Sequence, residues 1–180
     1  MSSIVTKRFL RGVLAGIFVA SILAACASTG DSSGAGGGLV LGRIALRLQN
    51  FDKLDGSYTD GIIISVKNKE TGASSSANLD HGGYFEFPGL AEGDYVLTAL
   101  DVRDRVLPDT RGFNVPLNID LSVKANRVNV VGQFTLTYDK KGTSKFEANR
   151  LVEDVKAAYS ARNPGSPWLQ KEWRSALSGG

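Results

Sequence analysis

The 180-residue sequence has one cysteine, one histidine and one methionine. A lone cysteine has no intramolecular partner, so a disulfide-stapled scaffold is excluded, as is any site needing several thiolates. With His81 the sole imidazole, a Ser-His-Asp arrangement would have to use a histidine in the turn Asp80-His81-Gly82-Gly83, and no G-x-S-x-G segment accompanies it. A phosphate-binding glycine loop between a strand and a helix is also missing; Gly36 to Gly38 belong to a Gly/Ser stretch. Asp52, Asp55 and Asp60 share one loop but lack the D-x-D-x-D-G…E order of a calcium loop, and read as solvated turn carboxylates. These absences lead to the expectation of a non-enzymatic protein with no cofactor and no metal.

Long apolar runs are scarce as well. The one candidate, Gly12 to Ala25, falls short of the roughly 20 residues a helix needs to cross about 30 Å of hydrocarbon. It follows Lys7, Arg8 and Arg11 and ends in small residues, the order of a charged n-region, an h-region and a cleavage site. Residues 1–25 are therefore expected to be a signal peptide. The formal charge of +3 depends on this segment. Three of the 21 Lys/Arg residues precede Cys26 and none of the 18 Asp/Glu does, leaving 18 of each in the remainder. A neutral chain carries no general attraction to nucleic acid, and none is expected as a partner. The charge is uneven: residues 27–139 hold 10 basic and 14 acidic side chains, residues 140–180 hold 8 and 4. The basic tail reads as a solvated surface, or as one that meets an acidic partner.

Leu23-Ala24-Ala25-Cys26 resembles the lipobox of bacterial lipoproteins: an aliphatic residue, two small residues and a cysteine. The resemblance implies that Cys26 is the lipidation site, that cleavage leaves it as the acylated N-terminus (palmitate among its chains), and that membrane lipid is its first partner. Each buried CH₂ contributes about 0.8 kcal/mol, so two or more chains anchor stably where one is marginal. The next residue is Ala27; an Asp there resembles an inner-membrane retention signal, so its absence points to the outer membrane of a Gram-negative cell envelope. Residues 26–38, the lipidated cysteine and a Gly/Ser tether, have an expected r.m.s. span of roughly 20 Å.

Beyond Leu39 the pattern has a period of two. Ile44, Leu46 and Leu48 alternate with Arg43 and Arg47, a half-buried strand. Ile62 to Lys67 is β-branched, Ser74 to Leu79 reads as a polar edge strand, and Tyr84 to Phe87 and Asp94 to Leu100 read as further strands. Phe113 to Val123 alternates with Pro116 near one end, and Arg127 to Tyr138 places Val128, Val130, Phe134 and Leu136 on one face. Turn residues separate these segments and no helix intervenes, which argues for an antiparallel sandwich over residues 39–139.

Past Asp139 the period changes to 3.6. Ser144-x-x-Glu147 has the form of a capping box, opening a helix whose stripe is Ala148, Leu151/Val152, Val155 and Ala158/Tyr159. Asn163-Pro164-Gly165 stops it, and Ser166-Pro167 starts a second, with Leu169, Trp173 and Leu177 in register. Residues 140–180 are thus expected to be a C-terminal pair of short α-helices, packed on the sandwich or on a partner. Trp168 and Trp173, with Lys171 and Arg174 beside them, are the candidate contact for an envelope protein or a polysaccharide; the plain alternative is core packing.

The order of signals between Gly61 and Leu100 carries a second resemblance. Val66, Asn68, Thr71 and Gly72; then Asp80, Gly83, Tyr84, Phe85 and Phe87; then Leu90, Gly93, Tyr95 and Leu97 are similar to the carboxypeptidase regulatory-like, transthyretin-like sandwich family, related to the B-type repeats of collagen adhesins. This implies a mainly β fold, a seven-stranded-type antiparallel β-sandwich, with Tyr84, Phe87, Tyr95 and Leu97 in its core. Such domains are mostly accessory modules, and some related sandwiches bind carbohydrate. Arg43 and Arg47 stand in the first strand rather than lysine, which argues against the isopeptide chemistry of some adhesin repeats. The reading is a membrane-anchored lipoprotein displaying a non-catalytic interaction or structural module; the alternative is a carbohydrate-binding module using exposed aromatics.

Overall fold

The computed structural model describes residues 36–51, 55–102, 113–142, 144–149 and 151–177. The signal segment, Cys26, most of the tether and Asp52 lie outside the described residues. The elements in chain order are β1 (Gly38–Gln49), β2 (Gly56–Tyr58), β3 (Ile62–Asn68), β4 (Ser74–Asn78), β5 (Tyr84–Leu90), β6 (Gly93–Val102), β7 (Phe113–Val123), β8 (Val128–Asp139), β9 (Ser144–Asn149), α1 (Val152–Arg162), a 3₁₀ turn (Pro167–Gln170) and β10 (Trp173–Ser175). The described residues are mainly β, with two sheets, one helix and the 3₁₀ turn.

The first sheet is built around β1. On one side β1 pairs antiparallel with β5 through its first half and with β2 through its second. On the other side it pairs with β8 from Leu39↔Val128 to Gln49↔Asp139, and this pairing is parallel. The far side of β8 takes β10, again parallel, and then β9, antiparallel. The second sheet runs β4-β3-β6-β7 and is antiparallel throughout. The sandwich therefore departs from the all-antiparallel expectation at β1–β8 and β8–β10. Alternation of apolar residues marks the buried face of a strand and carries no information on the direction of its neighbour.

Between the sheets lies one core. Val40, Ile44, Leu46 and Leu48 of β1 meet Ile62, Ile64 and Val66 of β3, Leu97 and Leu100 of β6, and Val115 and Leu121 of β7. The β1–β8 ladder is bulged: Leu41 pairs with Val130 and Gly42 with Gly132, leaving Val131 extra on β8. A bulge switches the facing of consecutive residues. Val130 accordingly packs on the outer face of the sheet and Val131 in the inter-sheet core, both buried. Gly42 lies under the Phe85 ring, where a Cβ would collide with the ring atoms. The absence of a side chain is what lets Phe85 fill the core.

Tyr84-Phe85-Glu86-Phe87 resolves differently from expectation. Phe85 and Phe87 are buried, with their rings edge-to-face at 5.8 Å, whereas Tyr84 is only half-buried. Tyr84 pairs with Arg43, whose side chain belongs to the outer face, so period two assigns Phe85, not Tyr84, to the core. Tyr95 and Leu97 are buried as expected.

Two strands of the C-terminal segment, β9 and β10, join the first sheet. Ser144–Asn149 is a strand, not the start of a helix, with Phe146 opposite Leu136 and Ala148 opposite Phe134. The helix begins at Val152, and its N-cap residue, Leu151, makes no side-chain cap hydrogen bond. Glu153 and Asp154 in the first turn and Arg162 in the last complement its dipole. The expected second helix is one 3₁₀ turn, after which Lys171 is extended and Trp173–Ser175 pairs with Val128–Val130. Ser166 does act as its cap, accepting the Trp168 amide at 3.3 Å. Ala176 N–H donates to the Val130 carbonyl, Ser122 N–H to the Ala176 carbonyl, and Leu177 bridges to Leu121. The chain end thus stitches the edges of the two sheets together.

Candidate functional site: the outer face of the first sheet

Two surfaces on this face concentrate the chemically distinctive side chains. One is an apolar cluster under the helix. Leu39 and Leu41 of β1 and Val128 and Val130 of β8 are buried beneath Val155 and Tyr159 of α1, with Val152, Trp168, Leu169 and Trp173 packed around them. Trp173 meets Tyr159 edge-to-face at 5.6 Å, and its Nε1–H donates to the Trp168 carbonyl at 3.2 Å. The Lys156 ammonium lies 5.9 Å from the Trp173 ring centroid. The Tyr159 hydroxyl is 2.8 Å from Ser166 Oγ. Trp168 and Trp173 are therefore brought together and half-buried, while Lys171 is exposed and Arg174 half-buried. This packing covers part of each indole ring.

The second surface lies farther along the same face, where polar side chains replace the valines. Asp80 organises it. Its Oδ1 accepts the amides of Gly82 and Tyr84, each at 2.8 Å, and its backbone closes the turn with Gly83 and Tyr84. Gly83, at φ +79°, gives its carbonyl to the Ile44 amide at 2.8 Å. A Cβ at Gly83 would run into the Ile44 carbonyl. That geometry explains the glycine. The turn places Tyr84 between two arginines. The Arg162 guanidinium lies 3.9 Å from the ring centroid and that of Arg43 5.5 Å. Arg162 also pairs with Asp80 Oδ2, and Arg43 Nε–H donates to the Gly82 carbonyl at 2.8 Å. Glu86 is one pleat away; crowding around its carboxyl raises its pKa above the ordinary carboxylate value, and the Arg162 charge partly opposes this.

Arg43, Asp80, Tyr84 and Arg162 thus form a cation–π and ion-pair latch between the last turn of α1 and the sandwich. On sequence alone Arg43 reads as part of a solvated face and Arg162 as tail charge. The legible signal is the alternation of Tyr84 and Glu86 against Phe85 and Phe87. The pairing with Arg162 crosses 82 positions and has no local signature.

Elsewhere, His81 is exposed and its Nδ1 lies 2.8 Å from the Asp60 carboxylate. That hydrogen bond, then the Asp60 charge, raises the imidazole pKa above 6.5. Asp55 Oδ1 accepts the Phe51 amide at 2.7 Å, a turn-closing role. Among the described residues no group of three or more His, Cys, Asp or Glu side chains is placed to hold a metal ion, and no helix is long and apolar enough to cross a membrane. What the outer face offers is adhesion: one surface binds the helix through apolar contact, the other through charge and aromatic stacking. No protein-family model matches the chain, and no curated protein is significantly similar to it.

Proposed function

We propose that this chain is a lipid-anchored protein of the cell envelope, displaying a non-catalytic β-sandwich as an interaction or structural module. The observation that carries the reading is Leu23-Ala24-Ala25-Cys26, placed after Lys7, Arg8, Arg11 and a 14-residue apolar run. The acyl chains sit on Cys26, and Ala rather than Asp at position 27 favours the outer membrane in a Gram-negative cell. The order and spacing of turn and aromatic residues from Gly61 to Leu100 support kinship with carboxypeptidase regulatory-like sandwiches, whose members brace or present other parts.

The start of the folded domain supports the same reading. Gly37 offers its carbonyl to the Asn126 amide at 3.0 Å, and β1 begins at Gly38, 12 positions beyond Cys26. A Cβ at Gly37 would sit 2.6 Å from the Gly89 backbone, so the chain enters through a slot only glycine fits. By composition, a Gly/Ser segment of this length has an expected r.m.s. span of roughly 20 Å, enough to display a sandwich from a lipid anchor.

The test is Cys26→Ser expressed in a bacterium that processes lipoproteins. The wild-type chain partitions with membranes and carries the mass of a diacylglycerol and a further acyl chain on a chain beginning at Cys26. The variant accumulates as an uncleaved precursor or is released unacylated. Unchanged membrane retention and unchanged mass in Cys26→Ser would overturn the proposal.

A further inference from the structure

The exposed edges of the two sheets are not alike. In the first sheet, β9 carries Lys145 and Glu147, ion-paired at 2.7 Å, β5 carries Glu86 and Pro88, and β2 and β10 are three residues each. In the second, β7 carries Pro116 and Asp120 and is crossed by the chain end at Ser122 and Leu121. Charge, proline, brevity and cover are the devices by which sheet edges avoid pairing with other chains. Strand β4 has none of them. Ser74-Ser75-Ser76-Ala77-Asn78 is uncharged, free of proline and paired with β3 without a bulge. Among the described residues no strand lies on its other side.

The register shows which groups face outward. Asn68 N–H donates to the Ala73 carbonyl at 2.8 Å and Leu79 N–H to the Ile62 carbonyl at 2.9 Å. These two contacts bracket the ladder, in which Ile64 is opposite Ala77 and Val66 opposite Ser75. Hydrogen-bonded pairs alternate along an antiparallel ladder, so positions 73, 75, 77 and 79 bond to β3. The amides and carbonyls of Ser74, Ser76 and Asn78 therefore point away from the sheet. Ser74, Ser76 and Asn78 are exposed.

We propose that this edge is a self-association surface, on which β4 of a second copy of the chain docks antiparallel about a two-fold axis through Ser76. Ser76 then faces the partner's Ser76, and Ser74 faces the partner's Asn78, using every outward amide and carbonyl in reciprocal pairs. The register is self-complementary because the three outward positions are evenly spaced about Ser76. The side chains permit the approach. Serine, alanine and asparagine leave both faces uncrowded at the about 4.8 Å spacing of a ladder, and with no charge in the strand two copies meet without repulsion. The Ser65–Ser76 hydroxyl contact at 2.9 Å already begins a polar row across the outer face of this sheet. A five-residue ladder buries less than the roughly 1,200 Å² of a stable complex, so pairing is weak in dilute solution and grows with local concentration. Lipid anchoring would supply that concentration in the membrane plane; the pairing geometry itself does not rest on the anchor.

The experiment uses the full chain in detergent micelles. Ser76→Cys, mildly oxidised, is expected to give at least 5-fold more disulfide-linked homodimer than the wild-type chain, whose single cysteine, Cys26, has no free thiol when acylated and sets the baseline when it is not. Adding Ser74→Pro removes an outward amide and no bond to β3, and returns the yield to that baseline. In the wild-type chain, amide exchange at Ser74, Ser76 and Asn78 slows at least 10-fold as protein concentration rises. Homodimer at baseline with concentration-independent exchange overturns the proposal. So does a crosslink that survives Ser74→Pro, or, in intact cells, a disulfide from the introduced thiol of Ser76→Cys to a different polypeptide in place of the homodimer.

Discussion

Arg162, in the last turn of the helix, stacks its guanidinium on Tyr84 with 3.9 Å between the charge centre and the ring centroid, while pairing with Asp80. The two residues lie on elements far apart in sequence, and their contact fixes where the helix ends on the sheet. An exposed cation–π contact contributes about 0.5–1 kcal/mol and a surface ion pair about 0–1 kcal/mol. Arg162→Ala is therefore expected to lower unfolding free energy by about 1 kcal/mol in urea titrations, and Arg162→Lys by less. An unchanged midpoint for Arg162→Ala would show the latch to be energetically idle.

Removing the chain end tests whether it belongs to the domain. Deleting residues 163–180 takes away Trp168, Leu169 and Trp173 from the cluster over β1 and β8, together with β10 and the buried Ala176. Loss of a fully buried large aromatic costs about 3–5 kcal/mol; these half-buried rings each contribute less, but they are lost together with the β10 pairing. The truncated chain is expected to lose cooperative thermal unfolding by circular dichroism. A truncated chain that melts as the parent does would refute this packing.

Two glycines separate strain from collision. Gly83 (φ +79°) would bring a Cβ against the Ile44 carbonyl, while Gly89 (φ +72°) has nothing within 4 Å of that position. The left-handed conformation costs a non-glycine residue about 1–2 kcal/mol. Gly89→Ala should lose about that much in chemical denaturation, and Gly83→Ala should lose clearly more. Equal losses would mean that the turn relaxes freely.

The histidine gives a pH signature. Its pKa is raised by the hydrogen bond to Asp60 and by that carboxylate's charge. A folded-state pKa above the unfolded one makes the pair stabilising below the unfolded value, and the contribution disappears as pH rises through the folded midpoint. NMR titration of His81 is expected to give a midpoint above 6.5 that falls in Asp60→Asn. A midpoint indifferent to Asp60→Asn would remove the pair.

Much of the sandwich is legible because half-buried strands write their facing into the sequence. Ile44, Leu46 and Leu48 against Arg43 and Arg47 are one instance, and the polar edge Ser74 to Asn78 is another. The errors share a cause. Ser144-x-x-Glu147 has the local form of a helix start, yet Phe146 and Ala148 also alternate, and the vacant side of β8 decides between them. Likewise Leu169, Trp173 and Leu177 fit a helical stripe, but Trp173–Ser175 finds β8 and Leu177 finds Leu121. Short-range pattern loses where a long-range ladder is available. The cluster of Arg43, Asp80, Tyr84 and Arg162 depends on three such non-local placements, so only its parts can be read beforehand.

The parallel ladder from Leu39↔Val128 to Gln49↔Asp139 has a consequence in time. The first strand to be synthesised cannot acquire its longest neighbour until about ninety further residues exist, and closing so long a loop is slow compared with forming hairpins. The β8 side of β1 is therefore completed late, after β2 and β5 can have paired with its other side. That delay leaves one side of β1 open while the rest of the chain emerges, which is compatible with the export proposed here.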